Sequence, residues 1–361
     1  MTNNATTLNF GTTVTLAEAA SLIINCPDTK FLIRGPRGIG KSSMMGVFEK
    51  HFGDAYEYAY FDCAGKDLGD AGLPAINHEK QTSEFYVNTL FKMHTGKPVI
   101  IMLDEIGKGM APVQTMLNSL LEARNARMGG TLLAKGSRVF ATSNLLAEGL
   151  GDNLKAHTLD RMTEIEVRTP TADEWLAWAV DNEMDGVVMA WVKQFPACLA
   201  SYRDGITEYK ANPYVPQFSG VNQRGTTPRS LARASDIIRN RKNFTDNALT
   251  CALKGTFGEA AARDMQAFIQ FQDQLPTWES IMSNPKGVPV PEGAGACAVL
   301  VFGAVQRVDT NSLEVFMDYI ERFEPEWQAT FCITLAKSTK RDVAFKSKTF
   351  AAWILKNEDL L

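Results

Sequence analysis

From Thr13 to about Val167, short apolar runs alternate with amphipathic stretches. This rhythm predicts a parallel sheet whose strands are joined by crossover helices. The predicted strands are Phe31–Arg34, Tyr58–Asp62, Val99–Leu103, Arg138–Ala141 and Thr163–Val167, each rich in β-branched or aromatic residues and followed by a loop or cap signal. Thr169-Pro170 breaks the pattern, because proline disfavours helix at the residue before it and suits the first turn of a new one. The text then becomes helical. TADEWLAWAVDNE puts Trp175, Trp178 and Ala179 on one face. The tryptophans Trp175, Trp178 and Trp191, with Met44, Met45 and Met102, read as core packing. A loop rich in Pro, Gly and Asn runs from Ala211 to Pro228, and a helix Arg229–Arg241 follows it. Further helical text, such as EAAARDMQAFIQFQDQL, is interrupted by a Pro/Gly stretch at Asn284–Gly295. The expected organisation is an α/β domain over residues 1–169, a helical lid over 170–245 and a helical extension over 246–361.

The first predicted strand runs into FLIRGPRGIGKSS, which contains Gly35-x4-Gly40-Lys41-Ser42. This is the phosphate-binding P-loop pattern in its proper strand–loop–helix setting. Gly35, Gly38 and Gly40 allow a tight turn and close approach to phosphate. The backbone amides of Gly35, Pro36, Arg37, Gly38, Ile39, Gly40, Lys41, Ser42 and Ser43 form the candidate cradle, proline lacking the amide hydrogen. The positive end of the following helix adds to it. Lys41 neutralises β- and γ-phosphate charge, and the Ser42 hydroxyl is a magnesium ligand. The implied cofactors are ATP and Mg2+.

The second candidate half-site is VIIMLDE, a buried strand ending in Asp104 and Glu105. In open parallel sheets ligands bind at the carboxyl ends of strands. Asp104 is expected to hold magnesium, and Glu105 to polarise the attacking water as general base. A glutamate in that role favours an ATPase over a small-molecule kinase. A solvated Asp-Glu helix cap is the competing reading.

After Glu105 the chain continues with Pro112-Val113-Gln114, a predicted helix Leu117–Arg127 containing LLEA, a glycine-bearing hairpin at Gly129–Gly136 and a strand ending in a polar residue. Taken in order, these features resemble the MoxR-like branch of the AAA+ ATPases, over roughly residues 10–245. The resemblance implies a P-loop NTPase parallel sheet with a helical lid. It makes Asn144 the sensor that faces the γ-phosphate, and Arg161, in the Leu-Asp-Arg segment, an arginine finger for a neighbouring subunit. Arg124 and Arg127, on the preceding helix, are alternative trans arginines. Thr227-Pro228-Arg229 resembles the second sensor motif, with Arg229 in the first turn of the lid helix. Met162 stands where the family has Phe, and residues Gly65–Glu84 depart from the branch, which carries an insertion there. Each candidate has a plainer alternative: a loop-capping Asn144, an Asp160–Arg161 surface pair, a lid-surface Arg229.

The resemblance also implies homo-hexamers and a partner carrying a von Willebrand factor A domain. Hydrolysis in such a ring would remodel a protein client. A DNA-acting ATPase is the alternative, since Arg229, Arg233, Arg239, Arg241 and Lys242 could contact phosphates from one helix. The net charge of −4 is not the basic footprint that nucleic-acid binding usually leaves. A third alternative is a scaffold that binds ATP without hydrolysing it. Six scattered cysteines without a CxxC pair and only four histidines argue against a zinc site. The N-terminal text lacks a signal-peptide pattern, and the longest apolar stretch, around Ala296–Val305, is half of what a membrane span needs. A cytoplasmic protein without a membrane segment is expected.

Overall fold

The computed structural model describes residues 13–145, 154–201, 212–215, 224–272 and 275–357. The chain divides into two compact units, 1–169 and 170–361. In the first, the strands are β1 (Thr13–Val14), β2 (Phe31–Gly35), β3 (Glu57–Asp62), β4 (Gly72–Asn77), β5 (Thr82–Val87), β6 (Val99–Asp104), β7 (Arg127–Met128), β8 (Thr131–Leu132), β9 (Arg138–Asn144) and β10 (Thr163–Val167). The main sheet has six strands in the order β1-β10-β2-β9-β6-β3, all parallel. Every residue of β2 and β6 is buried, as expected for parallel strands covered on both faces. All five predicted strands are present, and β1 adds an edge that two residues of text did not reveal.

Alternation along the strands feeds two cores. Phe31, Ile33, Ile100, Met102 and Phe140 pack with helices α1 (Leu16–Asn25) and α2 (Met44–Phe52). Leu32, Phe61, Ile101, Leu103, Val139 and Ala141 face the other way. There they meet Val113 and Leu117 of the helix that follows β6, whose bounds are Ala111–Leu117. Thr15 and Glu18 close a capping box at the start of α1, which fixes where that helix begins.

The predicted helix Leu117–Arg127 does not form. Helix Ala111–Leu117 gives way to one 3-10 turn, Asn118–Leu120, and then to bends. Leu120 and Leu121 are both buried, and Asn125 takes a left-handed φ of 60°, turning the chain into β7. A left-handed residue at Asn125 is incompatible with carrying a right-handed helix on to Arg127. Arg124 therefore lies in a bend and Arg127 opens β7, so neither is carried on a helix.

The ambiguous stretch after Gly65 folds as the antiparallel hairpin β4–β5, with Leu73 opposite Tyr86. A second hairpin, β7–β8, turns at Gly129, whose φ is 58°. A Cβ at Gly129 would fall 1.9 Å from the Phe85 ring, so the two hairpins touch there through a residue that must lack a side chain.

Arg138 is a buried cation at the start of β9. Nε donates to Ile23 O (3.1 Å), Nη2 to Ile24 O (2.8 Å), and Nη1 to Gly136 O (2.8 Å) and Tyr56 Oη (2.9 Å). The guanidinium also stacks over Phe52, 4.5 Å from the ring centroid. Its positive charge thus meets the negative end of α1 and satisfies carbonyls that the helix leaves open. Leaving buried acceptors without a donor costs about 1–3 kcal/mol each, so Arg138→Met should lower the unfolding free energy by about 3 kcal/mol or more. The urea midpoint of the full chain measures this. A loss below about 1 kcal/mol would mean that water takes over these carbonyls.

The second unit is helical in its described residues. It contains α6 (Ala172–Asp181), α7 (Gly186–Gln194), α8 (Pro228–Arg239), α9 (Asp246–Phe257), α10 (Glu259–Gln272), α11 (Trp278–Ser283), α12 (Ala294–Arg307), α13 (Ser312–Ile320), α14 (Pro325–Lys337), α15 (Arg341–Ala344) and α16 (Lys348–Lys356); α3 (Leu68–Ala71), α4 (the Ala111–Leu117 helix) and α5 (Ala156–Leu159) belong to the first unit. One continuous core runs from Trp175 to Ile354. A Cβ on Gly186 of α7 would lie 3.0 Å from the Gly303 backbone of α12, so these two helices approach closely. Trp175 and Trp191 are fully in the core, but Trp178 is 39% exposed. The expectation that all three tryptophans pack inside is corrected at Trp178, which sits one helical step off the buried stripe of Trp175 and Ala179.

Candidate functional site

The register of the sheet builds the site. β9 lies between β2 and β6, so Gly35 pairs with Asn144, and Leu103 with Ala141. The carboxyl ends of these three strands thereby bring together the P-loop, Asn144 and the Asp104-Glu105 pair.

The loop leaves β2 at Gly35, a residue in extended conformation. Its missing Cβ matters because one would sit 2.4 Å from Val167 Cγ2 on β10. Close strand packing, not the turn, needs glycine here. The turn itself uses Gly38 (φ 76°) and Gly40 (φ 104°), conformations that other residues seldom adopt. Ile39 points into the core and anchors the loop. The Ser43 hydroxyl donates to Gly40 O (2.6 Å) and ties the loop to the start of the 3-10 turn Lys41–Ser43 that leads into α2. Pro36 is buried and Arg37 half-buried in the first part of the loop.

Lys41 is buried, with Nζ donating to Gly35 O (2.8 Å), Pro36 O (3.0 Å) and Asn144 Oδ1 (2.9 Å). Asn144 Nδ2 donates in turn to Glu105 Oε1 (3.1 Å), and Lys108 Nζ to Glu105 Oε2 (2.6 Å). A single chain of contacts therefore links the P-loop ammonium to the acidic pair. The Asn144 amide orientation follows from it: oxygen towards Lys41, nitrogen towards Glu105.

Asp104 is buried. Its Oδ2 accepts from Ser42 Oγ (3.1 Å) and Tyr60 Oη (2.6 Å), and its Oδ1 accepts from Thr142 Oγ1. Thr142 Oγ1 also accepts from the Glu105 amide (3.2 Å), so one hydroxyl positions both acidic residues. Partial burial, and next the hydrogen bond to Asp104, push the Tyr60 phenol well above its ordinary pKa. It stays a proton donor to the carboxylate at neutral pH. Glu105 adopts a left-handed backbone (φ 51°, ψ 43°), an uncommon conformation for a non-glycine residue that costs about 1–2 kcal/mol. That turn lifts Glu105 off the line of β6, leaving Asp104 buried and Glu105 partly exposed.

Sequence reasoning missed Tyr60, Thr142 and Lys108. Thr142 precedes Asn144 by two positions and so shares its face of β9, a signal that was available. Lys108 follows Glu105 by one 3-10 turn. Tyr60 could not be found from the text, since it depends on β3 lying beside β6.

Arg161 is not part of this cluster. It lies in the turn between α5 and β10, with Nε 3.0 Å from Glu122 Oε1 and Nη1 bonded to His157 O. The Asp160–Arg161 pairing is not the contact formed. Thr163 begins β10 opposite Phe31, a strand length of roughly 13 Å from Gly35. Arg229 belongs to the second unit and is exposed in the first turn of α8, where Thr227 and Ser230 form a capping box behind Pro228.

Residues 30–162 match the family model described as the AAA domain of the dynein-related subfamily. The chain carries an AAA+ ATPase domain. This AAA+ domain binds ATP and hydrolyses it. Two solved structures are also similar. A candidate ATPase from Cytophaga hutchinsonii is 20% identical over 48% of this chain and 52% of its own, with a TM-score of 0.35. The protein NtrX from Brucella abortus is 13% identical over 96% of this chain and 67% of its own, with a TM-score of 0.38. The chain thus spans about half the length of the first, and neither likeness bears on the role of the AAA+ domain. No curated protein matches the chain. Among the described residues, no helix is long and apolar enough to cross a membrane, and the six cysteines are free thiols.

Proposed function

We propose that the chain is one subunit of a ring-forming, MoxR-like ATPase that remodels a protein client in the cytoplasm. The observation that carries this reading is the chain of contacts Lys41–Asn144–Glu105. These contacts support reading Lys41 as a cation for phosphate, Asn144 as a polar sensor and Glu105 as a carboxylate for water. Lys41 holds β- and γ-phosphate oxygens, and the amides of Gly35–Ser43 cradle them. Ser42 Oγ and the Asp104 carboxylate lie 3.1 Å apart and are hard oxygen donors, a set that suits Mg2+. When bound, the ion would offset charge on the β- and γ-phosphates. Glu105 takes the proton of the attacking water, and Asn144 reports phosphate to Glu105 because it bonds to both Lys41 and Glu105. Thr142 and Tyr60 are positioning residues that act through Asp104.

Arg161, kept a strand length from its own P-loop, serves the site of the next subunit. Arg229, in the first turn of α8, would act as the second sensor of nucleotide. The two touching hairpins expose Leu73, Ile76, Tyr86 and Leu132, which suits them to gripping a client. The partner that delivers this client would carry a von Willebrand factor A domain. The DNA-acting alternative is less well supported, because the Arg239 guanidinium is engaged with the backbone carbonyl of Glu183.

The test is assembly. With Mg-ATP, light scattering and electron microscopy of the full chain should show a six-subunit ring, and without nucleotide a smaller species. Full ATP turnover by a monomer would refute the ring and the trans arginine together.

A further inference from the structure

The second unit contains a cavity of about 450 Å³ that the ATPase reaction does not use. This is within the range of about 300–1,000 Å³ typical of small-ligand sites. Arg241 and Lys242, from the 3-10 turn after α8, and Arg307, the last residue of α12, supply three cations to its lining. Glu279 is the one lining acid among the described residues. Trp278 and Phe316 form an aromatic wall, their rings stacked with centroids 5.6 Å apart. Gly303 of α12 also lines the cavity, and a Cβ there would meet nothing within 4 Å. There is open space over α12 at that position for a larger side chain to enter.

The three cations are close enough for their fields to overlap. Asp185, half-buried beside them, is pushed up by desolvation, while the Val187 amide first, and then Arg241, Arg239 and Arg307, pull it back. Glu279 is held below the usual carboxylate range, first by its own amide and then by Thr277, with Arg307 and Lys242 adding to it. Lys242 and Arg307 close no ion pair with a described carboxylate. Arg241 is already oriented by its bond to Ile238 O (3.1 Å). Lys242 and Arg307 are exposed and Arg241 is half-buried, so three cations face one lining carboxylate, a surplus of positive charge that favours an anion. A planar ring would stack on Trp278, and phosphate oxygens would meet the guanidinium forks.

We propose that this cavity is a second mononucleotide site, separate from the P-loop, which takes the base against Trp278 and the phosphates at Arg241, Lys242 and Arg307. It would let the helical unit sense free nucleotide without hydrolysing it, since no acidic pair faces the cavity.

Equilibrium dialysis of the full chain with labelled ADP tests this, with Lys41→Ala silencing the P-loop. Adding Lys242→Gln and Arg307→Gln to that variant should remove one further equivalent of bound ADP, the affinity falling about tenfold or more. Gly303→Leu in the same background keeps every charge and favours the helix. It should block ADP by filling the space, with a melting temperature no lower than that of the Lys41→Ala parent. Either the charge variants or Gly303→Leu binding ADP as well as their Lys41→Ala parent would overturn the proposal. So would a short single-stranded oligonucleotide that binds with steep salt dependence through Arg307 while ADP does not bind there.

Discussion

Glu105→Gln should leave ATP bound and stop its turnover. The substitution preserves size and the left-handed backbone at this position, and the amide oxygen still accepts from Lys108. What it removes is a carboxylate able to take a proton from water. General base catalysis contributes about 10²–10⁴-fold, so the rate of phosphate release should fall by that factor. Nucleotide affinity, which depends on the P-loop amides and Lys41, should hold. Single-turnover phosphate release, read beside nucleotide binding to the same sample, separates the two effects. A variant that still turns over within about tenfold of the parent would show that another group activates the water.

The larger effect is expected at Arg161. An arginine supplied in trans to a phosphoryl-transfer site is worth about 10³–10⁵ in rate. Arg161→Ala should abolish turnover at that scale and barely alter stability, because its pair with Glu122 is solvent-exposed on both sides and such pairs contribute little. Loss of rate alone would not show that the residue acts across subunits. Mixing does. A ring of Arg161→Ala and Glu105→Gln subunits contains interfaces at which one subunit gives an intact base and its neighbour an intact arginine. In random head-to-tail mixing these are about one interface in four. Two inactive proteins should therefore regain activity on mixing. If they do not, although a mixed ring forms, Arg161 serves its own subunit or none. Arg124, in a bend, and Arg127, in β7, are then the next residues to replace.

Local text determined much of this protein. The strands were readable because a parallel strand buried on both faces is built on an apolar run, and Phe31–Ile33 of β2, Val99–Leu103 of β6 and Val139–Ala141 of β9 are such runs. The P-loop was readable because its chemistry lies in consecutive backbone amides and in glycines at left-handed positions, all close in sequence. Asp104 and Glu105 were legible for the same reason, as polar residues closing an apolar run. Tertiary structure alone decided the rest. Asn144 joins Lys41 to Glu105 only because β9 is inserted between β2 and β6, and strand order is set by packing across the sheet, not by neighbouring residues. Tyr60 and Thr142 reach Asp104 through that same order. The predicted helix over Leu117–Arg127 failed because the chain turns through a left-handed Asn125 to pair Arg127 and Met128 in the β7–β8 hairpin, a demand that helical periodicity within the segment cannot express. The cavity joins Arg241 and Lys242, from the turn after α8, to Arg307 of α12 and Trp278 of α11, a grouping no single stretch of sequence shows, since an electrostatic cluster is a property of distance in space.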